Sequence, residues 1–171
     1  SLRGIGIILG AKIDSRNQEF NSTSGYFNEI KLMAYNHQQI LSNDIRYFYP
    51  LDYGILATKV FSSQTFTNHD HIQYLSGIGN YYYLRGYKNN DIIDRHLSYV
   101  QLEYRVPTTP WLIVVPFVEA GVIGRDIGNI KKAVASYGLG AYIPMGAGSF
   151  RLETAHAESN SEFYFGFNHV F

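Results

Sequence analysis

Between Leu97 and Val106 the chain changes character at every residue. Leu97, Tyr99, Gln101, Glu103 and Arg105 fall on one side of an extended backbone, and Ser98, Val100, Leu102, Tyr104 and Val106 on the other. A period of two defines a β-strand with two unlike faces. The same kind of pattern predicts strands over Gly4–Ile13, Tyr26–Asn36, Ile40–Tyr49, Gly54–Ser63, Trp111–Ile123, Ala133–Ile143, Phe150–Ala157 and Glu162–Phe171. Turn chemistry separates them at Pro50-Leu51-Asp52, Pro107-Thr108-Thr109-Pro110, Pro144-Met145-Gly146 and Ser159-Asn160-Ser161. A polar stretch, Thr65 to Arg95, reads as one long loop. No convincing amphipathic helix and no repeat of fixed length is found. The expectation is an all-β chain forming a single domain over 1–171.

Alternation alone fits two architectures. In a water-soluble sandwich the apolar face points to a core; in a membrane barrel it points to lipid and the charged face lines the lumen. Three features favour the membrane barrel. Aromatic residues make up 16% of the chain, with 15 Tyr and 11 Phe, while charged residues are only 16%. The segments are about ten residues long, the length of a tilted membrane-crossing strand. The apolar faces also carry few polar residues. The last segment strengthens this reading, because Phe163, Phe165, Phe167, His169 and Phe171 share one face. An apolar strand left uncapped at an edge invites aggregation in water, but not in lipid.

Other classes are excluded by composition. With no Cys, disulfide scaffolds and thiolate metal sites are out of reach. Lys+Arg and Asp+Glu are both 14, which gives no electrostatic case for nucleic acid. No run approaches the roughly 18 apolar residues of a membrane helix. No signal peptide precedes Ser1, so the chain reads as a processed form or a recombinantly expressed portion, and the absence is neutral as to compartment.

The order of short motifs then resembles a family. Tyr53-Gly54-Ile55-Leu56-Ala57 is followed by Leu84-Arg85-Gly86-Tyr87 in the long loop and by Leu102-Glu103-Tyr104-Arg105-Val106-Pro107. Next come Phe117-Val118-Glu119-Ala120-Gly121, Gly138-Leu139-Gly140, Phe150-Arg151-Leu152-Glu153 and the closing Phe171. Gly4-Ile5-Gly6, Asp14-Ser15-Arg16 and Gly25 open the chain. Together they resemble the C-terminal barrel region of the outer-membrane assembly and translocation superfamily, which includes BamA, TamA and the two-partner secretion transporters. The resemblance implies an antiparallel transmembrane β-barrel in the bacterial outer membrane, with about eight or nine strands in this chain matching the last nine of a sixteen-stranded family barrel. It implies that loop 65–95 folds into the lumen. Arg85 would then contact Glu119 and Glu103, Gly86 would approach the wall closely, and Tyr87 would pack near Phe117. Gly121 closes the same wall motif, and Phe163, Phe165, Phe167 and Phe171 mark the insertion strand. A guanidinium can engage carboxylates bidentately, so it would pin the loop by geometry as well as charge.

Two residues depart from the family pattern: Glu119 stands where aspartate is common, and Leu84 where valine is common. The chain shows no periplasmic repeat domains. Nine strands would be an odd set, which leaves three readings: an eight-stranded barrel, half of a larger barrel completed by another chain, or a fragment. The implied role is insertion or translocation of proteins or lipids, through a weak seam with Glu162–Phe171 on one side. Its partners would be outer-membrane lipid, unfolded outer-membrane or secreted clients, and a second copy or another barrel chain.

The rival readings are a minimal structural barrel or small pore, a lipid-modifying enzyme, and a soluble β-sandwich. The enzyme would need an activated Ser or His at the lipid-facing rim. His156 shares a face with Phe150, Leu152 and Thr154 but has no Ser at a defined spacing, so no catalytic residue is assigned and the chain is not expected to be an enzyme. His69-Asp70-His71 lacks a clear third ligand and reads as solvated loop, so no metal or cofactor is expected. Gly4, Gly6 and Gly10 resemble a nucleotide loop only superficially, because no helix follows. Glu153, Glu158 and Glu162 form no oriented acid pair in the sequence.

Overall fold

The computed structural model describes residues 6–19, 21–35, 38–67, 75–78, 84–88, 92–145, 148–158 and 160–167. Eleven strands are present among them: β1 (Gly6–Asp14), β2 (Gly25–Tyr35), β3 (Gln38–Leu51), β4 (Gly54–Thr67), β5 (Ser76–Ile78), β6 (Ile92–Asp94), β7 (His96–Thr109), β8 (Leu112–Asp126), β9 (Asn129–Met145), β10 (Gly148–Ala157) and β11 (Asn160–Phe167). Nine form one antiparallel meander in the order β1-β2-β3-β4-β7-β8-β9-β10-β11, while β5 and β6 pair with each other between β4 and β7. All nine segments expected from alternation join the large sheet, which removes the eight-stranded reading.

Strands β3, β4, β7, β8, β9 and β10 are longer than their patterns suggested. Residues read as turns remain in the ladder, as in the pairs Pro50↔Ile55 and Leu51↔Gly54. Pro107 does not end β7; the register shifts between Pro107 and Thr109, an irregularity that tolerates a residue without an N–H. The long loop also begins later than expected, since Thr65–Thr67 belong to β4.

The two faces are inverted relative to a soluble protein. Inside, Lys59, Gln101, Glu103, Arg105, Glu119, Arg151 and Glu153 are buried. Outside, Leu41, Tyr47, Val60, Leu102, Val118, Tyr137, Leu139 and Leu152 are exposed. Burying charge while exposing an apolar face is costly in water and natural in lipid. No helix of the described residues is long and apolar enough to cross a membrane.

The sheet is open among the described residues, with no ladder between β1 and β11. The first and ninth strands of a meander run in the same direction, so they cannot pair antiparallel with each other. The sheet is nevertheless curled. Asn21, in the β1–β2 loop, donates from Nδ2 to the Gly148 carbonyl at 2.9 Å and accepts from Ser149 Oγ at 2.7 Å. Strands β2 and β10 lie six steps apart, close to 30 Å in a flat sheet at about 4.8 Å per step.

Candidate functional site: a charged cluster on the inner wall

Four neighbouring strands, β7 to β10, aim every second residue at one place. The ladder sets Gln101 opposite Glu119 and Glu119 opposite Ser136, while Glu153 lies opposite Gly140. The long loop returns to this spot with Leu84-Arg85-Gly86-Tyr87, all four buried.

Arg85 is fully buried and uses every edge of its guanidinium. Its Nε donates to Glu119 Oε1 at 2.6 Å, and its Nη2 lies 2.5 Å from the same oxygen. Its Nη1 lies 2.6 Å from Glu153 Oε1 and 3.1 Å from Glu103 Oε1. The Arg85 backbone N–H donates to Glu119 Oε2 at 2.7 Å, so one carboxylate holds both the side chain and the main chain. Beneath the guanidinium, the Phe117 ring centroid is 3.5 Å from Cζ, a cation–π stack. The three carboxylates outweigh the burial of the cation and push its pKa further up, so the charge is permanent.

The acidic residues are held in turn. Glu119 accepts from Gln101 Nε2 at 3.1 Å and from Ser136 Oγ at 3.2 Å. Glu103 pairs with Arg105 at 3.0 Å and Arg151 at 3.2 Å. Tyr142 Oη donates its one proton to Glu153 Oε1 at 2.6 Å, lies 3.0 Å from Glu103 Oε1, and accepts from Arg151 Nη2. Three arginines and three glutamates thus interlock, and the cluster is neutral as a unit.

The flanking loop residues fit by shape. Gly86 has φ +88°, and a Cβ there would sit 2.9 Å from the Ala157 Cβ. Its N–H donates to Tyr164 Oη at 2.8 Å. Gly121 leaves room for Leu84, whose Cδ1 would be 2.7 Å from an added Cβ. The guanidinium occupies the Phe117 ring, and Tyr87 enters an apolar cluster with Leu84, Leu97, Tyr99, Ile123, Val134 and Ala157. Its Oη donates to the Ala135 carbonyl at 3.0 Å.

The structure therefore brings together Arg85, Glu103, Phe117 and Glu119, with Gly86, Tyr87 and Gly121 around them. Sequence reasoning missed Glu153, Arg151, Tyr142, Gln101, Ser136 and Tyr164 as members. Their alternation was visible, and the register that sets them at the same height was not. Phe163, Phe165 and Phe167 point outward, 65%, 75% and 55% exposed, so the aromatic face of β11 is turned away from the cluster. Phe171 and His69-Asp70-His71 lie outside the described residues. A second ionic group closes the β1–β2 end, where Asp14 takes a bidentate contact from Arg16 at 2.8 and 2.9 Å, and Arg16 and Arg46 both lie over the Phe27 ring.

The nine-stranded meander with an inner charged wall has a counterpart among solved structures. The chain is similar to the crystal structure of BamA from Haemophilus ducreyi lacking POTRA domains 1–3, with a TM-score of 0.78. The fold is BamA-barrel-like. The match covers 95% of this chain and 41% of that one, at 16% identity, so the likeness is one of fold and the chain spans about two fifths of the BamA structure's length. No protein-family model and no curated protein matches the sequence.

Proposed function

We propose that this chain forms wall strands of an outer-membrane barrel that serves insertion or translocation of proteins at that membrane, with its long loop anchored in the lumen by Arg85. The observation that carries the reading is the inversion of the sheet: a neutral, fully buried Arg–Glu network inside, and many large apolar and aromatic side chains exposed outside. Such a sheet is stable only with lipid on its outer face. The Arg85 network joins the loop to the inner wall of β7, β8 and β10, and Gly86 joins it to Tyr164 of β11, so the loop acts as a strut that fixes the curvature of these strands. The similarity to the BamA structure supports the barrel fold on which this reading rests.

The two edges give the reading its mechanism. Among the described residues both β1 and β11 are sheet edges with no ladder on their outer side, and in lipid such edges must find partners. An antiparallel closure requires an odd number of added strands, because β1 and β11 run in the same direction. Those strands come from a further segment or a partner chain, and the β11 edge is where a weak seam would admit a client strand.

The test is a client-folding assay. The chain is reconstituted into lipid vesicles, and an unfolded outer-membrane barrel protein is added. Faster client folding than in empty vesicles is the expected result. A chain that inserts and resists heat on unboiled gels, yet leaves client folding unchanged, would make it a structural barrel without assembly activity. The detergent-corrected mass of the purified chain separates a monomer from an assembly that supplies the missing strands.

A further inference from the structure

On the outer face of the sheet, near the long loop, a line of polar side chains crosses β4 and β7. Ser98 Oγ lies 3.0 Å from His96 Nε2, and His96 Nδ1 lies 3.1 Å from Gln64 Oε1. Ser62 Oγ is 2.8 Å from Ser98 Oγ. His96 and Ser98 are two residues apart on β7 and so share a face, and the ladder places Gln64 directly opposite His96.

The protonation pattern follows from the amide. Gln64 Nε2 donates to the Arg125 carbonyl at 3.1 Å and to the Thr65 carbonyl at 3.2 Å. That fixes the amide, so Oε1 faces the imidazole and Nδ1 carries the proton. Nε2 is then the basic nitrogen, and it faces the Ser98 hydroxyl. A nucleophile within reach of a base, with the base oriented by a third group, is the arrangement that activates serine for acyl transfer. His156 and Ser161 also meet on the outer face, at 2.8 Å, but the other neighbour of that imidazole among the described residues is the Tyr137 ring at 5.4 Å, which gives its second nitrogen no acceptor.

The surroundings match one substrate shape. On one side, Ser62, Gln64 and His96 line a cavity of about 650 Å³ whose wall includes Arg95, Arg125 and Asp126. On the other side, Ser98 lines an apolar groove of about 400 Å³ with Val60, Val100, Ala120, Val122 and Ala133. The half-buried Ser98 stands between a charged space and a hydrocarbon-lined one. An acylated lipid has its ester at that same junction between head and chain.

We infer that Ser98, His96 and Gln64 form an acyl-ester hydrolase site on the lipid-facing wall, acting on an anionic glycerolipid of the bilayer. This rests on the outer-membrane reading, since the substrate reaches Ser98 only from lipid. Ser98 Oγ attacks the ester carbonyl as its proton passes to His96 Nε2. The bond to the glycerol oxygen breaks, and that oxygen takes the proton from His96. Water then attacks the acyl-serine, giving one proton to His96, and the bond to Ser98 breaks as Ser98 recovers it. The products are a fatty acid and a lysolipid. Gln64 is a positioning residue that holds the imidazole.

The experiment uses the folded chain in phosphatidylglycerol vesicles, in phosphatidylcholine vesicles and in detergent with p-nitrophenyl butyrate, beside labelling by a serine-reactive fluorophosphonate. The expected result is fatty acid release, faster from phosphatidylglycerol, and a label on Ser98. Ser98→Ala should lower release by roughly 10³-fold or more and abolish the label. Gln64→Ala should lower kcat with KM unchanged, and Gln64→Glu, which keeps an acceptor for Nδ1, should restore it. Ser161→Ala should change nothing. An inserted, heat-resistant chain that neither labels nor releases fatty acid overturns the inference, as does a label that persists in Ser98→Ala. A chain that fails to insert but labels at Ser98 and cleaves the soluble ester leaves the triad standing and removes the outer-membrane reading.

Discussion

Arg85→Ala tests the network at its centre. The substitution removes a buried cation that lies 2.5 Å from Glu119, 2.6 Å from Glu153 and 3.1 Å from Glu103. It also exposes the Phe117 face that the guanidinium covers at 3.5 Å. Arg105 and Arg151 remain, so three glutamates face two cations and the cluster becomes negative. Breaking a buried pair by deleting one partner costs about 3–5 kcal/mol, because the surviving charge stays desolvated. The expected outcome is a loss of that size in urea-induced unfolding followed in detergent, with a matching fall in the temperature at which the folded band disappears on unboiled gels. Arg85→Lys should recover only part of the loss, since a point charge cannot reach three carboxylates and stack on Phe117 together. In a double-mutant cycle, Arg85→Ala with Glu119→Ala should cost less than the two singles combined, with a coupling of about 2–3 kcal/mol. An Arg85→Ala chain within about 1 kcal/mol of the parent would refute the reasoning, because that is the worth of a solvated surface pair.

Gly86→Ala puts a Cβ 2.9 Å from Ala157 on a residue with φ +88°, and should destabilise the loop by about 1–3 kcal/mol, read as faster hydrogen exchange over 84–88. Tyr164→Phe removes the acceptor for the Gly86 N–H and should accelerate exchange at Gly86 by roughly fivefold, for a bond worth about 1 kcal/mol, without loosening β7 or β8. Phe165→Lys places a charge on the outward face of β11 and should cost about 2–4 kcal/mol of stability in vesicles and far less in detergent; Glu162→Gln, on the other face, should insert like the parent.

Much of this architecture was written in the alternation. The buried face of β7 holds Leu97, Tyr99, Gln101, Glu103 and Arg105, as the period of two assigned them, and β11 turns its phenylalanines outward for the same reason. Face assignment is local, because successive side chains on one strand must point opposite ways. The Arg85–Glu119 contact came from motif order, and the structure adds the backbone N–H of Arg85 to it. Strand ends were less legible. Pro50 and Pro107 look like stops, yet the neighbouring strand holds both in extended pairing.

What joins strands to one another was decided elsewhere. Glu153 closes one of the motifs read in the sequence, but nothing there tied it to Arg85; the register of β8, β9 and β10 lifts it to the height of that guanidinium. Gln64 and His96 are likewise unremarkable 32 residues apart, and become partners because the β4–β7 ladder sets them opposite. Each strand's sequence fixes which face a side chain occupies. The stagger between strands, set by turns, bulges and the packed loop together, fixes which side chains meet, and that quantity belongs to no single strand.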